Sequence, residues 1–238
     1  MWAALREFGR DLPGEVRVVV VCSEGRAFSA GLDVGGGQDS PSASAAGSGS
    51  APGPAGQAPL LAQLATAEPQ WAEQRIAEFQ EAFSWLRRPD LITVAAVQGY
   101  AIGAGFQLAL ACDLRVLADD AQLCMAEVKL GLVPDLGGTK RIVELVGYAR
   151  ALEICATGRR VSAAEAERIG LANLVVGRAE LDAAVADLTA AILSANRDAV
   201  VEIKALLAGA AGRSFAEQEA AERAAQLRRI RDLAGIGE

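Results

Sequence analysis

Three segments of the 238-residue chain combine small residues with groups able to do chemistry. The first is Ala27-Phe28-Ser29-Ala30-Gly31-Leu32-Asp33, just after a β-branched run. The second is Val97-Gln98-Gly99-Tyr100-Ala101-Ile102-Gly103-Ala104-Gly105-Phe106-Gln107. The third runs from Ala126-Glu127-Val128-Lys129 through Gly131 and Pro134-Asp135-Leu136 to Gly137-Gly138-Thr139. Small residues let a backbone approach a ligand closely. Amides at a turn or a helix N-terminus point outward without partners, and they suit an oxygen that gains negative charge during a reaction. The same glycines also serve simply as tight strand-to-helix turns. Gly103-Ala104-Gly105 lacks the third glycine of a dinucleotide fingerprint and has no suitable acidic residue after a second strand, which excludes that reading.

Composition removes several function classes. The chain has no histidine, so Ser-His-Asp and Cys-His nucleophiles and His-based zinc sites are excluded. Cys22, Cys112, Cys124 and Cys155 show no metal-ligand spacing and are expected to be buried, reduced thiols of a cytoplasmic protein. No metal and no separate cofactor is expected. A net charge of −7 argues against nucleic-acid binding. The N-terminal residues show no basic segment followed by an apolar run, so no signal peptide is expected. Leu91 to Cys112 is uncharged and long enough to cross a bilayer, but its turn residues predict a strand, a turn and a buried helix instead.

The elements that would position these segments alternate. Residues 3–11 are predicted helical, Val16–Cys22 a buried strand, and 35–59, where Ser, Ala, Gly and Pro dominate, a flexible surface loop. Helical spacing resumes over 60–86. Strands are predicted at 91–97, 113–118 and 171–176, and helices at 105–111, 138–145 and 149–156. Ser162-Ala163-Ala164-Glu165 reads as a capping box. Residues 179–233 are almost wholly helical. Alternation followed by helices alone indicates an α/β core, residues 1–177, with a helical C-terminal region, 178–238.

In order, spacing and identity, the three segments resemble the enoyl-CoA hydratase/isomerase (crotonase) superfamily, as do Thr157-Gly158 and Gly170-Leu171-Ala172-Asn173. The resemblance implies a crotonase-like spiral of ββα units with a helical C-terminal trimerisation region, hence a homotrimer or homohexamer. It implies an acyl-CoA substrate, coenzyme A being part of that substrate. The amides of Leu32 and Ala104 would form the oxyanion hole for the thioester carbonyl. Ala30, Gly31, Asp33 and Gly103 would line the substrate site, and Arg26 is the better candidate for a CoA phosphate. Two N-terminal strands of the family would precede the position of Met1, and are expected to be missing.

Family hydratases use two glutamates, at the positions of Gln107 and Glu127 here. Glutamine can hydrogen-bond a water but cannot accept or deliver a proton at neutral pH. One glutamate suffices to isomerise a Δ3 double bond to Δ2, and the family's isomerases keep the residue matching Glu127. That chemistry is expected slightly ahead of weakened hydration. The alternatives are a non-catalytic acyl-CoA-binding or regulatory subunit and another enolate reaction, such as decarboxylation. Asp135 falls where some members place an active-site aspartate, or it caps the following helix. Glu127 itself is the acid/base of the site, or an ordinary solvated carboxylate.

Overall fold

The computed structural model describes residues 1–31 and 60–236. Leu32, Asp33 and the loop expected at 35–59 lie outside the described residues. Among the described residues the strands are β1 (Val18–Val21), β2 (Ile92–Val97), β3 (Tyr100–Ile102), β4 (Leu114–Ala118), β5 (Gln122–Cys124), β6 (Arg160–Ser162) and β7 (Leu174–Val176). The helices are α1 (Trp2–Asp11), α2 (Leu60–Thr66), α3 (Pro69–Ser84), α4 (Ala104–Ala111), α5 (Gly138–Val146), α6 (Tyr148–Thr157), α7 (Ala163–Arg168), α8 (Leu181–Ser194), α9 (Arg197–Ala210) and α10 (Phe215–Leu233).

The strands form two sheets. The larger is all parallel, in the order β1-β2-β4-β7. Parallel strands need crossovers that cover both faces, which is why β2 and β4 read as near-continuous apolar runs. Val94 and Ala96 of β2 and Val116 and Ala118 of β4 share one face with Leu181 and Val185 of α8. Ala95, Val97 and Leu117 point the other way, into the main core with Phe106, Ala109 and Leu110 of α4. Asp113 ties the sheet to α9. Its Oδ2 accepts the Thr93 amide at 2.8 Å and Lys204 Nζ at 2.7 Å.

The smaller sheet runs β3-β5-β6, with β3 parallel to β5 and β6 antiparallel to it. Ser29 adds a bridge beside Ala101. The sequence reading missed this sheet, because three-residue strands are too short to show a period. The strand expected over 171–176 is confined to β7, because the preceding residues wrap a buried arginine. Arg115 Nε donates to the Leu171 carbonyl at 2.6 Å, and its main-chain amide donates to Asn173 Oδ1 at 2.9 Å. Burial holds the Arg115 guanidinium down to about 10.

The capping box at α7 is borne out on its Ser162 side, whose hydroxyl accepts the Glu165 amide at 3.3 Å. The cysteines split. Cys112 and Cys124 are buried, Cys155 is half-buried, and Cys22, contrary to expectation, is exposed beyond the end of β1. No described helix is long and apolar enough to cross a membrane. The uncharged 91–112 stretch is β2, the turn, β3 and α4.

Candidate active site

The small sheet brings the first two segments together. Ser29 donates its amide to the Tyr100 carbonyl at 2.8 Å, and the Ile102 amide donates to the Ser29 carbonyl at 3.0 Å. Gly31 is thereby laid beside Ile102, and Ala30 is exposed next to it. β3 is followed by Gly103, whose φ of 53° lies in the left-handed region and turns the chain directly into α4. Its amide is already committed to the Cys124 carbonyl at 2.8 Å. Ala104 opens α4, and the first-turn amides of a helix have no intrahelical acceptor. Gly105 is required by contact, since a Cβ there would sit 2.4 Å from Ser29 Cβ.

The third segment is brought in by β5. Glu127 starts a 3₁₀ turn, Glu127–Leu130, three residues after Cys124. A Cβ at position 103 would lie 3.4 Å from Glu127 Oε1, so the glycine turn and the carboxylate share one small space. Gln107, one helical turn into α4, donates from Nε2 to Glu127 Oε1 at 2.7 Å. The second oxygen, Glu127 Oε2, is buried and has no hydrogen-bond partner among the described residues.

Burial pushes the Glu127 carboxyl above the usual range, and the Asp135 charge adds to that. Hydrogen bonds from its own backbone and from Gln107 pull the other way. Asp135 is half-buried, and burial raises its carboxyl too. Helix α5 begins on Gly137 with no side-chain cap. The Asp135 carbonyl accepts Gln80 Nε2 at 2.7 Å.

The structure thus brings Gln107, Glu127, Gly103, Ala104 and Gly31 into one neighbourhood, with Asp135 close enough to be felt electrostatically. Arg26 is exposed, and its carbonyl accepts Arg178 Nη2 at 3.2 Å. Three participants escaped the sequence reading. Ser29 fills the space that Gly105 leaves, and the amides of Leu136 and Gly138 hold Gln107. The only trace of the last is a glycine, Gly138, whose φ does not demand one. Among the described residues no cluster of His, Cys, Asp and Glu could hold a metal ion.

A helix-opening amide next to a glycine turn that borders a half-buried carboxylate suits the polarisation of a carbonyl and the transfer of a proton beside it. Comparison with known proteins gives the family. A protein of Thermobifida fusca YX, assigned as an enoyl-CoA hydratase and solved with CoA, is 46% identical with a TM-score of 0.85, the match covering 99% of this chain and 84% of that one. A structure from the same organism with acetoacetyl-CoA is 44% identical with a TM-score of 0.83, covering 98% and 85%. The Mycobacterium leprae protein echA8, named as an enoyl-CoA hydratase, is 44% identical over 100 residues, 42% of this chain and 39% of that protein. Carnitinyl-CoA dehydratase of Salmonella typhi is 43% identical over 115 residues, 48% of this chain and 44% of the relative. The matched segments therefore span less than half of these curated relatives. The family model for enoyl-CoA hydratase/isomerase matches residues 61–232, and with α4, the glycine turn and Glu127 all inside that span, the chain belongs to the enoyl-CoA hydratase/isomerase (crotonase) superfamily.

Proposed function

We propose that the protein is an enzyme acting on enoyl-CoA thioesters, and that it moves a double bond between the 3 and 2 positions using Glu127 as its single proton carrier. One observation carries this reading. At the paired positions only Glu127 can take up a proton, and its free oxygen is buried beside the Gly103–Ala104 turn. The Ala104 amide, with that of Leu32 as its partner, receives the thioester oxygen. Each such donor contributes roughly 3–4 kcal/mol of barrier lowering. Glu127 removes a C2 proton from the 3-enoyl thioester, leaving an enolate held by those amides. Protonation at C4 by the same carboxyl then restores the thioester with its double bond at C2. Ala30, Gly31, Asp33 and Gly103 shape the site, Arg26 meets a CoA phosphate, and Asp135, where some family members place an active-site aspartate, raises the Glu127 carboxyl.

The relatives solved with CoA and acetoacetyl-CoA support a CoA thioester as the ligand. In the same reading residues 1–177 form the catalytic core, and 178–238 carry assembly into a homotrimer or homohexamer. Exposed Ile203, Leu207, Leu227 and Ile230 on α9 and α10 support that role. Four free thiols support a cytoplasmic setting.

The test compares purified protein on 3-hexenoyl-CoA and crotonyl-CoA. Isomerisation is expected to exceed hydration, and Glu127→Gln is expected to lose about 10²–10⁴-fold in kcat. Unchanged turnover in Glu127→Gln would remove Glu127 from its role. Thioester binding without turnover of either substrate would favour a regulatory acyl-CoA binder, the reading that Gln107 also permits.

A further inference from the structure

Gln107 is only 1% exposed, and each of its polar atoms has a defined partner. Oε1 accepts the Leu136 amide at 2.9 Å and the Gly138 amide at 3.3 Å. A backbone N–H can be met only by an oxygen, so these two bonds fix the orientation of the side-chain amide. Nε2 must then face Glu127, and donates to its Oε1 at 2.7 Å. Gly138 gives independent support. A Cβ at that position would lie 2.7 Å from Gln107 Cγ and 2.9 Å from Oε1. The backbone there is not left-handed. Glycine is needed at 138 for the room Gln107 occupies.

We propose that Gln107 is a positioning residue that clamps one carboxylate oxygen of Glu127 to the Leu136–Gly138 segment, leaving Oε2 as the only oxygen that exchanges a proton with substrate. The proposal rests on Glu127 acting as the base. The clamp also satisfies the first amide of α5, so the helix following Asp135 is anchored through the same side chain. Gln107 itself takes up no proton. It sets which lone pairs of Glu127 face the reacting carbon and keeps the group from rotating.

The charge of Glu127 responds to few neighbours. Asp135, from the segment before α5, raises its carboxyl. The thiols of Cys124 on β5 and Cys155 on α6 are close enough to feel its charge, and burial raises both. The Gln107 donor favours the carboxylate form, so removing it must move the Glu127 midpoint upward.

The experiment follows the ¹³C carboxyl resonance of Glu127, identified by its loss in Glu127→Gln, through a pH titration of the free protein. Wild type is compared with Gln107→Met and Gln107→Asn, the second keeping an amide one methylene short. The midpoint is expected to rise by about one pH unit or more in both. The acid limb of kcat/KM on 3-hexenoyl-CoA should rise with it, and kcat should fall by about tenfold with little change in KM. Gln107→Glu keeps the size of the side chain and serves where the other two fail to fold. Its two carboxyls should titrate as a coupled pair, one midpoint on each side of the wild-type value. An unmoved Glu127 midpoint in the folded Met and Asn variants, or an unsplit titration in the Glu variant, overturns the clamp. A moved midpoint in a protein that turns over neither thioester sustains the clamp and sinks the isomerase reading instead.

Discussion

The four-stranded sheet β1-β2-β4-β7 is packed on both faces by aliphatic side chains and anchored at one end by the Asp113–Lys204 pair. The three-stranded sheet β3-β5-β6 is built from strands of three residues each, and it joins its neighbours through main-chain hydrogen bonds and glycine contacts. All the acid/base candidates lie near the second sheet, and none lies on the first. The contrast separates two kinds of requirement. The large sheet needs volume and hydrophobicity, which many residues satisfy. The small one needs backbone atoms in fixed places, which only particular residues allow.

Substitutions can break or sharpen that contrast. Asp113→Ala would leave Lys204, with a side chain only 10% exposed, without its charge partner. It should cost about 3 kcal/mol of stability in urea unfolding. The folded fraction should retain its turnover, and a loss of kcat there would mean that the two sheets are not separable. Gly105→Ala places a methyl group 2.4 Å from Ser29 Cβ. Overpacking of this kind costs roughly 1–3 kcal/mol. The larger effect should be on kcat, because the segment Ser29–Gly31 must move relative to the Ala104 amide; a tenfold loss is the order expected, since each tenfold in rate is about 1.4 kcal/mol. Retained kcat in this variant would show that the glycine contact serves packing alone. Ser162→Ala removes the cap of α7 at the end of β6. It should lower stability by about 1 kcal/mol, visible as a small drop in Tm, with kcat unchanged.

Legibility in the sequence follows the same division. β2 and β4 could be read because strands buried on both faces must be apolar throughout. The grouping of Gly103 and Ala104 with Glu127 comes from the resemblance to the superfamily, since the residues alone offer a small-residue turn and a carboxylate with nothing to join them. β3, β5 and β6 could not be read, since three residues carry no usable alternation; β7, equally short, was read only within a longer, mostly apolar run, 171–176. The hold on Gln107 was equally hidden. It runs from a side chain to a main-chain amide 29 positions away, and every residue except proline offers such an amide. Asp135 had two readings at the outset. The structure weakens the capping one, because α5 starts on Gly137 without a side-chain cap and takes its first amide bond from Gln107.

The seat of Gln107 has a consequence for descent. Its oxygen rests against two backbone amides and a bare glycine, and a glutamate of the same shape would find the same room and the same donors. Codons for glutamine and glutamate differ at a single base. A lineage carrying this seat stands one point mutation from a two-carboxylate site, with no rebuilding of the scaffold needed to cross in either direction.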